Sequence, residues 1–147
     1  MTTESSFQGF APAVAIQAGN PEALKYGRLW QRPEYRAVAP GEGLAHVFLQ
    51  VARPKPGAHV LDFGCGTGRG AVRLSLLGGL TVTMVDFVSN CLDEDVRAML
   101  TMPAPALRFV KADLERGPLP VGEFAVCFDV MEHIPPDKVD VVLDHIL

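Results

Sequence analysis

Seven residues hold the densest chemistry in the chain: Asp62-Phe63-Gly64-Cys65-Gly66-Thr67-Gly68. Glycines at 64, 66 and 68 let a backbone turn through positive φ and let a ligand approach with no Cβ in the way. Asp62 sets a carboxylate at the entrance to that turn, and acids recur at Asp86, Asp113 and Asp129. A fifth group, Glu132-His133, combines an acid with an imidazole, which changes charge near neutral pH and suits the removal of a substrate proton. His133 could equally cap the loop before Pro135-Pro136.

Two ligand classes use a glycine loop of this kind. Gly66, Gly68 and Ala71 fit the dinucleotide pattern G-x-G-x-x-A, with Asp86 placed to meet a ribose hydroxyl. Against a dinucleotide, the Asp62 carboxylate would repel a pyrophosphate and suits a ligand carrying an ammonium and a sulfonium. A phosphate-cradling P-loop is excluded, because no Gly-Lys-Ser/Thr follows the glycines. Alone, Asp86 reads as a loop acid and Asp113 as a turn former before Gly117-Pro118.

These residues need a scaffold, and the hydrophobic pattern supplies one. Short apolar runs at 60–63, 80–85, 107–110 and 124–130 read as strands buried on both faces. Helical stretches at 68–77 and 89–100 join the first three, a turn-rich segment over 113–123 joins the last two, and a final helix follows Pro135-Pro136. Leu44, Val47, Phe48 and Val51 form one stripe of an earlier amphipathic helix, stopped by Pro54, Pro56 and Gly57. The alternation predicts an α/β fold with a parallel sheet and ligands outside the carboxyl ends of its strands. Four strands and a terminal helix are the first half of a doubly wound sheet, which leaves the strand at 124–130 as an edge able to pair with a second copy of the chain.

Residues 1–20 are expected to form a poorly ordered arm, 21–56 a helical lead-in, and 57–147 the ligand-binding domain. At 147 residues, 48% of them hydrophobic, the chain can bury a core. A net charge of −4 argues against nucleic acid as the main partner. Three cysteines, Cys65, Cys91 and Cys127, write neither a disulfide framework nor a metal knuckle, which points to reduced thiols in the cytoplasm. His46, His59 and His145 lack clustered acids and no metal site is expected. No membrane span or leader is expected either. Tyr26, Trp30 and Tyr35 could wall an acceptor pocket, but plain packing is the more common use of such residues.

Four blocks in series carry a resemblance: 60–68, Val85-Asp86, Ala112-Asp113-Leu114-Glu115, and Phe128-Asp129-Val130-Met131-Glu132-His133-Ile134-Pro135. In order and spacing they resemble the motifs of class I S-adenosylmethionine-dependent methyltransferases with a Rossmann-like sheet, in particular members acting on small molecules. The resemblance implies S-adenosylmethionine as cofactor and a small-molecule methyl acceptor as partner. Carried onto this chain, the backbone of Gly64, Cys65, Gly66, Thr67 and Gly68 would pack on the methionine part, with Asp62 near its amino group. Asp86 would take the ribose hydroxyls, Asp113 the adenine amino group with Leu114 beside the ring, and Phe87 and Val88 would sandwich the adenine. Asp129 belongs to the same cofactor set, while Glu132 and His133 would flank the methyl group. Two other readings stay open: a nicotinamide-binding oxidoreductase domain, and a non-catalytic scaffold that keeps the loop without a substrate half.

Overall fold

The computed structural model describes residues 21–147; the arm expected over 1–20 lies outside them. The lead-in is three helices, α1 (Pro21–Leu29), α2 (Pro33–Arg36) and α3 (Pro40–Ala52). Prolines at the starts of α2 and α3 suit positions whose N–H would go unused, with φ already helical. Arg53 ends α3 in the left-handed conformation, φ 47°, just before Pro54.

Beyond it lie β1 (His59–Phe63), α4 (Arg69–Gly78), β2 (Thr81–Asp86), α5 (Glu94–Met99), β3 (Leu107–Lys111), β4 (Phe124–Val126) and α6 (Val139–Ile146). The four strands form one parallel sheet in the order β3-β2-β1-β4, with Val60 opposite both Val82 and Phe124. Chain order moves outward from β1 through β2 to β3 and then returns to the other side of β1. That reversal opens a crevice at the carboxyl ends of β1 and β4, where α/β sheets take ligands.

β1 and β2 are buried almost throughout because helices cover both faces. On one side Val60, Val82, Met84 and Leu107 pack with Ala45 of α3, Leu74 of α4 and Val96 of α5. On the other, Leu61, Phe63 and Val85 pack with Leu114 and with Val142 of α6. The lead-in is joined to this body by a close approach of α3 and α4: a Cβ at Gly70 would stand 3.0 Å from the carbonyl carbon of Gly41.

Two expected elements are shorter than their apolar patterns. The fourth strand ends at Val126 rather than 130, because Asp129 turns left-handed at φ 58°. The helix expected over 89–100 is a 3-10 turn at Ser89–Cys91 followed by α5, with Leu92 extended between them. β4 has only β1 as a neighbour among the described residues, so it is an edge three residues long. No helix of the described residues is long and apolar enough to cross a membrane.

Candidate cofactor and acceptor site

A cavity of about 540 Å³ lies at the carboxyl ends of β1, β2 and β4, roofed by the lead-in. The loop between β1 and α4 forms its floor. Gly64, Gly66 and Gly68 take φ of 72°, 51° and 80°, which only glycine adopts readily. Each also faces a close neighbour where a Cβ would point: Val130 over Gly64, the Trp30 indole over Gly66 at 3.1 Å, and Val96 beside Gly68 at 2.8 Å. The glycines thus serve packing as much as ligand approach.

Asp62 and Asp86 line the cavity with only 4% and 6% of their surface exposed. Burial, reinforced by repulsion from Asp86, pushes the Asp62 carboxyl up to about 7. Burial likewise raises Asp86 to about 6, against the pull of backbone N–H donors. Those donors are concrete: the Gly66 amide donates to Oδ2 at 3.2 Å and the Val88 amide to Oδ1 at 3.1 Å. Asp86 therefore ties the glycine loop to the turn after β2, and each of its oxygens keeps a lone pair for a further donor.

Asp113 accepts from the Glu115 amide at 3.0 Å and pairs with Arg116 at 3.5 Å, so it does form the local turn. It nonetheless lines the cavity, as do Leu114, Phe87, Cys65 and Thr67. Gly68 and Val88 do not: Gly68 packs on Met84, Leu92 and Val96, and Val88 is buried in the core with its amide on Asp86. On the β4 side, Asp129 and His133 line the cavity while Glu132 stands off it. The three are exposed and offer ligand atoms within 4.8 Å of one another, as do the buried Cys65, Asp86 and Cys91. A hydrogen bond with Glu132 holds the Asp129 carboxyl above its ordinary value, while backbone and Asp129 donors lower Glu132.

The lead-in supplies the remaining wall. Tyr26, Trp30 and Tyr35 all line the cavity, with Trp30 edge-on to Tyr35 at 4.8 Å and Tyr26 edge-on to both Phe87 at 5.6 Å and His133 at 5.9 Å. The four-residue step from Tyr26 to Trp30 is the one sequence signal that could have promoted them above plain packing. A polar clamp, absent from any local pattern, holds the lead-in down. Arg36 donates to Asp93 at 2.6 Å and to the carbonyls of Trp30 and Asn90; Arg69 meets the other Asp93 oxygen at 2.9 Å and the Arg36 carbonyl. Asn90 donates to the Gly27 carbonyl at 2.7 Å. Away from the cavity, His59 shares a hydrogen bond with Thr83 and His145 with the Leu114 carbonyl.

A parallel sheet with a glycine loop after β1 and acids at the ends of β1 and β2 defines a Rossmann-like α/β fold. Residues 60–147 match the sequence model of the family described as methyltransferase domain, and the chain belongs to that family. Among solved structures it is similar to the 1,6-didemethyltoxoflavin-N1-methyltransferase of Burkholderia thailandensis, crystallised with 1,6-didemethyltoxoflavin and S-adenosylhomocysteine (TM-score 0.65, 22% identity, 85% of this chain and 55% of that one). It is similar also to the magnesium protoporphyrin IX methyltransferase of Synechocystis PCC 6803 with bound SAM (TM-score 0.56, 21% identity, 84% and 55%). A third is a TehB-like SAM-dependent methyltransferase of Corynebacterium glutamicum (TM-score 0.57, 26% identity, 86% and 66%). The chain thus spans about half the length of the first two. No curated protein matches the sequence.

Proposed function

We propose that this chain binds S-adenosylmethionine and is the cofactor-binding part of an enzyme that transfers its methyl group to a small molecule. The observation that carries the reading is the pair Asp62 and Asp86, buried on one cavity wall on either side of a glycine loop, with no lysine or arginine of the described residues paired to either. No described donor meets Asp62, so its carboxylate is free to accept from an ammonium. A pyrophosphate would face the same acids at a severe electrostatic cost, which sets the nicotinamide reading aside.

Bound there, the cofactor would supply an electrophilic methyl on its sulfonium, with S-adenosylhomocysteine as the leaving group once the methyl passes to the acceptor. The protein's work is placement. Asp62 would orient the amino acid end, Asp86 the ribose hydroxyls, and Asp113 and Phe87 the adenine, with Leu114 beside the ring. Residues 57–147 are the binding domain and 21–56 the roof that excludes water and narrows the approach. His133, on the cavity wall against Tyr26, would take a proton from the acceptor, and Glu132 would act through its hydrogen bond to Asp129. Compounds named for the similar structures, 1,6-didemethyltoxoflavin and magnesium protoporphyrin IX, support an acceptor of small-molecule size. The three cysteines are free, which accords with a reducing cytoplasm; pairing of two copies would use the open side of β4.

Isothermal titration of the chain with S-adenosylhomocysteine, with NADH as control, tests this directly. Micromolar binding of the first alone is expected. Heat from NADH alone would reinstate the oxidoreductase reading, and none from either ligand in a folded chain would leave a scaffold.

A further inference from the structure

Eight carboxylates line the cavity, at Glu22, Glu34, Glu42, Asp62, Asp86, Asp113, Glu115 and Asp129, against a single guanidinium, that of Arg32. Glu22 is offset by Lys25, Glu42 by Arg69 and Arg73, and Asp113 by Arg116. Asp62 and Asp86 are accounted for by the cofactor. Glu34, Glu115 and Asp129 remain, and no lysine or arginine of the described residues pairs with them. Glu115 follows Asp113 and Leu114 in the block assigned to the adenine, whereas Glu34 and Asp129 belong to the wall that the cofactor motifs do not claim, where the lead-in meets the loop after β4. That wall also carries Tyr26, Trp30, Tyr35, His133 and one cation, Arg32, so its two carboxylates outnumber its guanidinium.

We infer that the acceptor is an amine, bound as its ammonium form between the Tyr26, Trp30 and Tyr35 rings with Glu34 and Asp129 supplying the counter-charge; this rests on the methyl-transfer reading above. Three electron-rich rings beside carboxylates that have no basic partner form the environment that attracts an organic cation. Tyr26 already carries one cation, Lys25 Nζ standing 5.0 Å from its ring centroid. A carboxylate or phosphate acceptor would meet net negative charge on the same wall and be repelled. The burial that raises the Tyr35 phenol, with Asp129 and Asp86 adding to it, keeps that ring neutral and its face available.

The chemistry balances. The ammonium gives one proton to His133, which exposes the nitrogen lone pair; the N–C bond forms as the C–S bond breaks, and the bonding pair stays on sulfur. The product is the N-methylated ammonium, and the proton on His133 passes to water.

The test uses Trp30, the one tryptophan of the chain, which packs on the glycine loop and faces the cavity. Its fluorescence is followed in the chain saturated with S-adenosylhomocysteine while benzyltrimethylammonium, benzyl alcohol or phenylacetate is added. The cation is expected to bind at least about tenfold more tightly than the neutral or anionic probe, in line with several rings and carboxylates acting together on one cation. Glu34→Gln and Tyr35→Leu are each expected to cut the cation-to-alcohol ratio by about threefold or more. Equal or tighter binding of phenylacetate, no binding of any probe, or a ratio unchanged in both variants would overturn the proposal. Failure of S-adenosylhomocysteine itself to bind sinks the cofactor reading instead, and is seen before any probe is added.

Discussion

Asp62 and Asp86 sit near the carboxyl ends of adjacent parallel strands, buried on one wall of one cavity, and repel each other. Both hold their protons more tightly in the folded chain than in the unfolded one, so protonation favours the fold. The stability they confer is complete below about pH 4 and is lost as pH rises through about 6 for Asp86 and about 7 for Asp62. Urea unfolding of the ligand-free chain should show stability falling by an order of a few kcal/mol between pH 4 and 8. Asp62→Asn should flatten that slope and stabilise the chain at pH 8. An unchanged slope would mean that Asp62 is ionised at no cost.

Ligand binding should reverse the sign. An ammonium beside Asp62 stabilises the carboxylate, so S-adenosylhomocysteine should bind more weakly as pH falls below about 7, and binding near pH 6.5 should release protons. Calorimetry in two buffers of different ionisation heat reads that release; Asp62→Asn should abolish it.

Asp86→Ala removes an acceptor that holds the Gly66 and Val88 amides and would hold two ribose hydroxyls. A loss of roughly 1–3 kcal/mol in S-adenosylhomocysteine affinity is expected. Unchanged affinity in a folded variant would remove Asp86 from the site.

Gly64→Ala places a methyl group into Val130 and strains a φ of 72°. Left-handed strain of roughly 1–2 kcal/mol adds to overpacking of roughly 1–3 kcal/mol. Val130→Ala in the same chain should recover much of the second part. Chemical denaturation of the single and double variants separates the two.

Burial pushes Cys127 up to about 11 and Cys65 well above its ordinary value, and Cys91 is fully buried. Alkylation by iodoacetamide at neutral pH should run at least about tenfold slower than for an exposed thiol, and urea should restore the rate. Rapid labelling of Cys91 in the native chain would contradict its burial.

Local chemistry made the glycine loop legible: Gly64, Gly66 and Gly68 write their own backbone angles, and Asp62 and Asp86 follow from strand ends. Apolar patterning placed all four strands but overran β4, because the run through Phe128 and Val130 serves a different purpose. Asp129 turns the backbone there and sends Val130 onto Gly64, which no period of two can reveal. α5 was overrun for a related reason. Asp93, placed as its N-cap, makes no capping bond and spends its carboxylate on Arg36 and Arg69, 57 and 24 positions away. Such long-range pairs decided how the lead-in sits, and hence that Tyr26, Trp30 and Tyr35 face the cavity rather than simply filling space.

The near-contact of Gly41 with Gly70 has an evolutionary consequence. It couples the helix that follows the acceptor wall to the helix that begins at the cofactor loop, with no side chain between them to absorb a shift. Mutations that re-aim the lead-in toward a new acceptor will therefore be epistatic with residues at the cofactor loop. A change of acceptor in such a lineage should arrive together with compensating substitutions around residues 64–70, not in the lead-in alone.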